Sequence, residues 1–343
     1  MTAIVRTSIG IFMIGLFILW AFTYTSASES MRERSRADVV IFDQNTIHFD
    51  PNEPSKYATD TVLAEDNGRI IITEMNLPEH EGPVKIIAHL AIHPIPKDEI
   101  SMHDPWDRAG NIRLCVEGTA DIEVIKFITA YGGFTEYEVD VSHLDNLLKG
   151  PCTFRAFIDT WSTPGWKIDF ELSYEWPQTD INPIWATGIL YKDSFNKKDI
   201  GDKGVEVTIE IPKEIKRVKM NYLVSGHCTD GTDADEFVSK DNVIYVDDIA
   251  VFRYKPWRDD CRRFREVNPY TRRWSDGYWS SDYSRSGWCP GDMVKPLQLD
   301  LTDHLAPGKH KIRFVIEDIR PEDENGHFGY WRVSSYLLGW TKK

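Results

Sequence analysis

Three acidic settings in this chain place carboxylates where they could do chemistry. Asp107 stands in M-H-D-P-W-D-R-A-G-N-I (Met102 to Ile112), between Trp106 and Arg108 in a loop opened by a proline. Asp159 stands in I-D-T-W-S-T-P-G-W, where a strand pattern runs out into a turn flanked by tryptophan. The segment S-G-H-C-T-D-G-T-D-A-D-E-F (Ser225 to Phe237) gathers four acids in a glycine-containing loop. Carboxylates brought close together repel, which raises the pKa of one and divides the pair into base and acid. Each setting also has a plainer use. Asp107 and Arg108 would make a surface pair with Trp106 tucked in, Asp159 would cap a turn, and the acidic loop would be solvated or hold calcium, although it lacks the regular D-x-D-x-D-G spacing. His89, His93 and His103 are the nearest approach to a copper set: the first two lie four apart in a strand-like run, but no H-x-H pair exists. No glycine-rich phosphate loop, G-x-S-x-G elbow or H-E-x-x-H motif is present.

The elements that must position these residues read as strands. Short β-branched and aromatic runs such as R-I-I-I-T-E, V-K-I-I-A-H-L-A-I, I-E-V-I-K-F-I-T-A-Y and V-E-V-T-I-E-I alternate with Gly, Pro, Asn and Asp, and strong helical periodicity is lacking. The pattern predicts an all-β protein of antiparallel sandwiches. A weak internal repeat relates V-D-V-S-H-L-D-N-L-L-K-G-P-C-T-F-R-A-F-I-D-T (Val139 to Thr160) to L-D-L-T-D-H-L-A-P-G-K-H-K-I-R-F-V-I-E-D (Leu299 to Asp318). Two similar sandwiches follow, over residues 38–176 and 177–341, with the boundary at Y-E-W-P-Q-T-D and a ligand cleft expected at their junction.

Residues 1–27 read as a signal peptide: Arg6, an apolar run from Ile9 to Phe22, then T-S-A-S with cleavage after Ala27. The expectation is a secreted or periplasmic protein, with an uncleaved membrane anchor as the other outcome. Loss of that segment removes Arg6 and no acid, taking the formal charge from −14 to −15. Such a surface repels phosphate backbones and argues against nucleic acid as a partner. The exception is Arg253 to Arg273, where arginines and aromatics alternate; it reads either as a ligand-holding stretch or as a solvated loop neutralised by acidic surroundings. The five cysteines, Cys115, Cys152, Cys228, Cys261 and Cys289, suit disulfides in an exported chain, with one thiol left over. A Cys261–Cys289 bond would clamp the Arg/Trp/Tyr-rich segment between them. The chain has no N-x-S/T sequon for N-glycosylation.

D-P-W-D-R-A-G-N from Asp104, K-F-I-T-A-Y from Lys126, D-T-W from Asp159, G-H from Gly226, D-E-F from Asp235 and R-S-G-W-C-P-G from Arg285 occur in the order and at the separations of one family. In these the chain resembles the peptide-N-glycosidase F family, secreted bacterial amidases that release N-glycans from asparagine. The resemblance implies two tandem eight-stranded jelly rolls, in agreement with the repeat, and a Cys261–Cys289 disulfide. It places the catalytic acid on Asp107 and a second glutamate on Glu236, with Phe237 where the family has tryptophan. The third acid falls on Asp159, one methylene shorter than the family's glutamate. Asp107 would activate water, Glu236 would hold the core sugar or peptide end through a bridging water and share the proton traffic, and Asp159 would bind sugar hydroxyls. Arg108 and Arg285 would polarise the carbonyl or keep Asp107 ionised. Trp106, Trp161 and Trp288 would face sugar rings, with His227 and Phe237 beside them. The expected partners are N-linked glycoproteins or glycopeptides, met by a monomer that uses no metal and no cofactor. A non-catalytic carbohydrate-binding sandwich stands as the alternative, with a copper monooxygenase-like oxidoreductase behind it.

Overall fold

The computed structural model describes residues 36–176, 182–229 and 235–342. The expected signal peptide, residues 177–180 of the expected domain boundary and residues 230–234 of the acidic run lie outside them. Among the described residues no helix is long and apolar enough to cross a membrane.

The first half of the chain forms β1 (Arg36–Ile47), β2 (Val62–Glu65), β3 (Ile70–Leu77), β4 (Lys85–Pro94), β5 (Ala109–Cys115), β6 (Ile122–Ile128), β7 (Thr135–Asp140), β8 (Gly150–Ile158) and β9 (Trp166–Glu175). The second half forms β10 (Trp185–Asn196), β11 (Val205–Ile211), β12 (Arg217–Cys228), β13 (Asn242–Val246), β14 (Ile249–Tyr254), β15 (Leu297–Asp300), β16 (Gly308–Ile316) and β17 (Gly329–Trp340). The alternation that marks these runs is visible in their burial: in β9, Trp166, Ile168, Phe170, Leu172 and Tyr174 all point inward and are fully covered.

The sheets are β1-β9-β4-β7, β2-β3-β8-β5-β6, β10-β17-β12-β15 and β11-β16-β13-β14. In both halves the first strand pairs antiparallel with the last, β1 with β9 and β10 with β17. The internal repeat falls on the same step in each half. An edge strand, β7 or β15, leads through a turn to an inner strand of another sheet, β8 or β16. Among the described residues the second half has eight strands and the first has nine. The extra member is β2, a four-residue edge strand on β3 whose short V-L-A-E run lacks the length of the others.

The halves are joined by apolar and polar packing. Ala186, Leu223, Tyr336 and Leu338 of the second half are continuous with the core of the first. Across the same junction Lys126 Nζ donates to the Arg332 carbonyl at 3.0 Å and Asn111 Nδ2 to the Tyr191 hydroxyl at 3.1 Å. The long excursion between β14 and β15 adds a third tie. Its residues 291–294 run beside β6, with Ile128 N donating to Asp292 O at 3.0 Å and Val294 N to Lys126 O at 2.8 Å. An otherwise open sheet edge is thereby covered.

That excursion carries the Cys261–Cys289 disulfide, with Cα atoms 5.1 Å apart. The remaining cysteines depart from the disulfide expectation: Cys115 at the end of β5 and Cys152 near the start of β8 are thiols at the same end of two paired strands, and Cys228 sits beside Glu236. Closing a loop whose ends are 28 residues apart removes unfolded-state freedom. Replacing both bridge cysteines by serine is expected to lower unfolding free energy by about 3–4 kcal/mol on the loop-entropy relation, read from urea unfolding with a slope that rises as the unfolded chain expands.

Candidate active site

The site assembles from four loops and one strand. Asp107 lies on the β4–β5 loop, Tyr131 just past β6, Glu236 past β12, and Arg285 in the excursion ahead of Cys289. Local geometry fixes each approach. Gly226 on β12 has no room for a side chain, because a Cβ there would sit 2.5 Å from the Asp235 carbonyl oxygen and 2.8 Å from Ser286 Cβ. Asp235, fully buried, is gripped by Trp331 Nε1 and by Arg320 N, each at 2.9 Å. It thereby anchors the neighbouring Glu236. Tyr131 is clamped by the excursion, its N–H donating to Asn268 Oδ1 at 2.8 Å and its carbonyl accepting from Tyr270 N at 3.0 Å.

Arg285 is at the centre and is 1% exposed. Its Nε donates to Glu236 Oε1 at 3.2 Å and its Nη2 reaches Asp107 Oδ2 at 3.5 Å. The remaining fork is satisfied by the Tyr283 and Ser280 carbonyls at 3.0 and 2.9 Å. One guanidinium therefore faces two carboxylates, both largely shielded from water. Burial raises the pKa of each. Glu236 is lifted to about 7, mainly by burial, with Arg285 opposing and Asp107 adding. Asp107 is also raised by burial, opposed by Arg285, Tyr131 and Arg108. The Cys228 thiol donates to Glu236 Oε2 at 3.4 Å.

The expected Asp107–Arg108 pair is not formed. The turn D-P-W-D-R brings positions four apart together, so Arg108 Nε meets the buried Asp104 carboxylate at 3.0 and 3.1 Å. Asp104 also accepts from Thr160 Oγ1 at 2.6 Å, which ties the Asp107 loop to the turn after β8. Asp107 is left facing Arg285.

Asp159, at the end of β8, is held by two other arginines: Arg69 Nη1 at 3.0 Å and Arg332 Nη2 at 2.6 Å. It does not share Arg285. The two groups are instead joined by a ladder of rings and cations. Arg285 lies 5.1 Å from the Phe237 ring centre and 4.7 Å from that of Trp288. Trp288 stacks on His227 at 5.3 Å, and His227 on Tyr330 at 5.4 Å. Arg332 then lies 5.8 Å from Tyr330 and 5.1 Å from Phe157 of the first sandwich. Desolvated cation–π contacts of this kind contribute on the order of 2 kcal/mol each. His227 stays neutral within the ladder: burial, then Arg332, Lys126 and Arg285, hold its pKa well below the usual imidazole range.

This arrangement corrects two expected sugar contacts. Trp288 and His227 are buried, with both faces of the indole covered and its Nε1–H donated to Gly226 O at 2.8 Å. They stand behind the site and support it. Trp106 and Trp161 are the exposed indoles, 45% and 58% accessible. Trp161 packs on Phe49 and Arg69 near Asp159, and Trp106 lies edge-on to Tyr131 near Asp107. Phe237 is half-buried against Tyr283. The three histidines of the copper reading do not converge: His93 meets Asp169 at 2.7 Å, His89 lies 3.8 Å from Glu138, and His103 belongs to another loop. Among the described residues no cluster of three or more metal-ligating side chains occurs.

Sequence reasoning missed Tyr131, Tyr330, Arg332, Arg69 and Cys228. The signal for two of them was present. In G-Y-W-R-V-S-S of β17, alternation sends Trp331 into the core and Tyr330 and Arg332 to the other face, where an arginine inside an otherwise buried strand needs a carboxylate partner.

The fold and the site define a tandem β-sandwich protein with a buried two-carboxylate, one-guanidinium centre at the junction of its halves. The family model for the C-terminal domain of peptide-N-glycosidase F matches residues 194–338. PNGF-II is 26% identical, with 93% of this chain and 68% of that one covered at a TM-score of 0.79. PNGase F, a glycosylasparaginase from Flavobacterium meningosepticum, is 18% identical, with 89% and 95% covered at 0.67. A peptide-N(4)-(N-acetyl-beta-D-glucosaminyl) asparagine amidase is 17% identical, with 90% and 97% covered at 0.68. No curated protein matches. The chain is thus similar to peptide-N-glycosidase F in sequence over residues 194–338 and in fold over most of its length.

Glu236 supplies a pH test. Its folded pKa lies above the unfolded value, so its contribution to stability is fully present below the unfolded pKa and is lost as pH rises through about 7. Glu236→Gln removes this loss. Thermal melts from pH 5 to pH 8 are expected to show the variant gaining on the parent as pH rises; parallel curves would contradict the elevated carboxyl.

Proposed function

We propose that the protein is an N-glycan amidase that hydrolyses the glycosyl-asparagine amide of glycoproteins or glycopeptides. The observation that supports this reading most strongly is the shared guanidinium: Asp107 and Glu236 meet on Arg285, and the pKa of Glu236 lies near 7. Amide hydrolysis needs a base to deprotonate water and an acid to protonate the departing nitrogen. Two carboxyl groups that face one guanidinium, one of them with its pKa lifted to about 7, meet that need.

Asp107 is the base. It lies within the Arg285 and Tyr131 surroundings that favour its charged form against burial. It takes a proton from water as the oxygen attacks the asparagine side-chain carbonyl. Glu236, protonated up to about neutral pH, delivers its proton to the amide nitrogen as the C–N bond breaks. The products are an aspartate in the peptide and a glycosylamine, with water supplying the new oxygen. Arg285 keeps the two carboxyl groups apart in role and fixed in position. Asp159, oriented by Arg69 and Arg332, accepts hydrogen bonds from sugar hydroxyls, and the exposed Trp161 beside it offers an apolar face to a ring.

The test is incubation with a denatured N-glycoprotein in water enriched in oxygen-18, followed by mass spectrometry. Released glycan and an aspartate carrying one heavy oxygen are expected, with Asp107→Asn slowing release by roughly a thousandfold or more, as for loss of a catalytic base. Retained glycan affinity with no conversion by the parent would instead identify a carbohydrate-binding module.

A further inference from the structure

A cavity of about 380 Å³ opens beside Asp107, between Trp106 and Tyr131 of the first sandwich and Arg272, Arg273 and Trp274 of the excursion. Its volume is that of a small-ligand cleft, roughly 300–1,000 Å³. It is continuous with the carboxylate site. Tyr131 belongs to both, and Ser280 on the cavity wall gives its carbonyl to Arg285.

Charge distinguishes this cavity from the loop that builds it. Elsewhere in the Arg253–Arg273 stretch the cations are neutralised as a solvated loop requires: Arg253 by Glu317, Arg258 by Asp260 and Asp292, Arg263 by Asp260, and Arg265 by Asp282. Arg272 and Arg273 meet no carboxylate among the described residues. Indole faces hold them instead, Arg272 lying 5.6 Å from the Trp106 ring centre and Arg273 5.0 Å from that of Trp279. Arg262 also lacks a carboxylate but does not line the cavity. In a chain of net charge −14, two adjacent uncompensated guanidinium groups at one cavity mouth are complementary to an anion.

We propose that this cavity is a subsite for acidic residues of the polypeptide that flank the glycosylated asparagine. The proposal rests on the amidase reading of the neighbouring carboxylates. The assignment to peptide follows from the placement of Trp106 and Trp161. Asp159 and Trp161 stand together on the side suited to the sugar, and the cavity adjoins Asp107 through Trp106 and Tyr131 instead. Guanidinium forks resting over indole faces suit carboxylates presented from a flexible chain.

Titration calorimetry on the whole protein would compare two synthetic product peptides, identical except for glutamates or glutamines beside the aspartate that replaces asparagine. The glutamate peptide is expected to bind at least fivefold more tightly, with a preference that fades as salt is raised. Arg272→Gln combined with Arg273→Gln should abolish it, and the paired Lys variants should restore part of it. Both side chains are at the surface, so the fold is preserved. Equal or undetectable binding of the two peptides overturns the proposal, as does tighter binding of a sialylated oligosaccharide that the Gln variants lose. Glycan release from the matching glycopeptides is followed in parallel. If the binding preference holds and neither glycopeptide is cleaved, the subsite stands and the amidase reading fails.

Discussion

A guanidinium group stays in a protein interior only where its charge and its five N–H groups are answered there. Arg285 meets that condition with two carboxylates, two carbonyls and two aromatic faces, drawn from three segments of the chain. Because the partners come from both sandwiches and from the disulfide-clamped excursion, the ion can be satisfied only when all of them are in place. The buried charge therefore specifies the junction geometry as well as the local chemistry. It also explains why Trp288 and His227 are interior groups: they fill the space between Arg285 and Arg332 with polarisable rings and no further charge.

The same constraint separates the two carboxylate regions. Asp107 and Glu236 share one cation and carry elevated proton affinities, as general acid–base chemistry requires. Asp159 is met by two cations, Arg69 and Arg332, of which Arg69 also pairs with Asp66 at 2.9 Å and Arg332 with Asp193 at 3.0 Å. A carboxylate so held is suited to accepting hydrogen bonds in a fixed orientation. The shorter aspartate at this position is met by arginines on either side, which fix where its oxygens lie.

The sheets were legible in the sequence because their alternation is local: the inward set of β9 can be marked off by eye, and the repeat correctly related β7–β8 to β15–β16. The ninth strand was not, since β2 is four residues long and gains its place only by pairing with β3. At the site, Asp107 was distinguishable by its motif, but its partner was misjudged. Adjacency suggested Arg108, whereas the turn delivers Arg108 to Asp104 and leaves Asp107 for a residue 178 positions away. Trp288 looked like a sugar platform because composition cannot tell an exposed indole from one stacked between a guanidinium and an imidazole. The ties from Arg285 to Asp107 and Glu236 are long-range, and no periodicity records them.

The role of Arg285 can be tested by Arg285→Lys, which keeps the charge and removes the planar fork. Glycan release should be measured together with the thermal melt. If the fork holds Asp107 and Glu236 in their separate roles, release should fall by roughly a hundredfold or more while the folded state persists, as when a preorganised donor is lost. Release at parental rates from a folded Lys variant would contradict it.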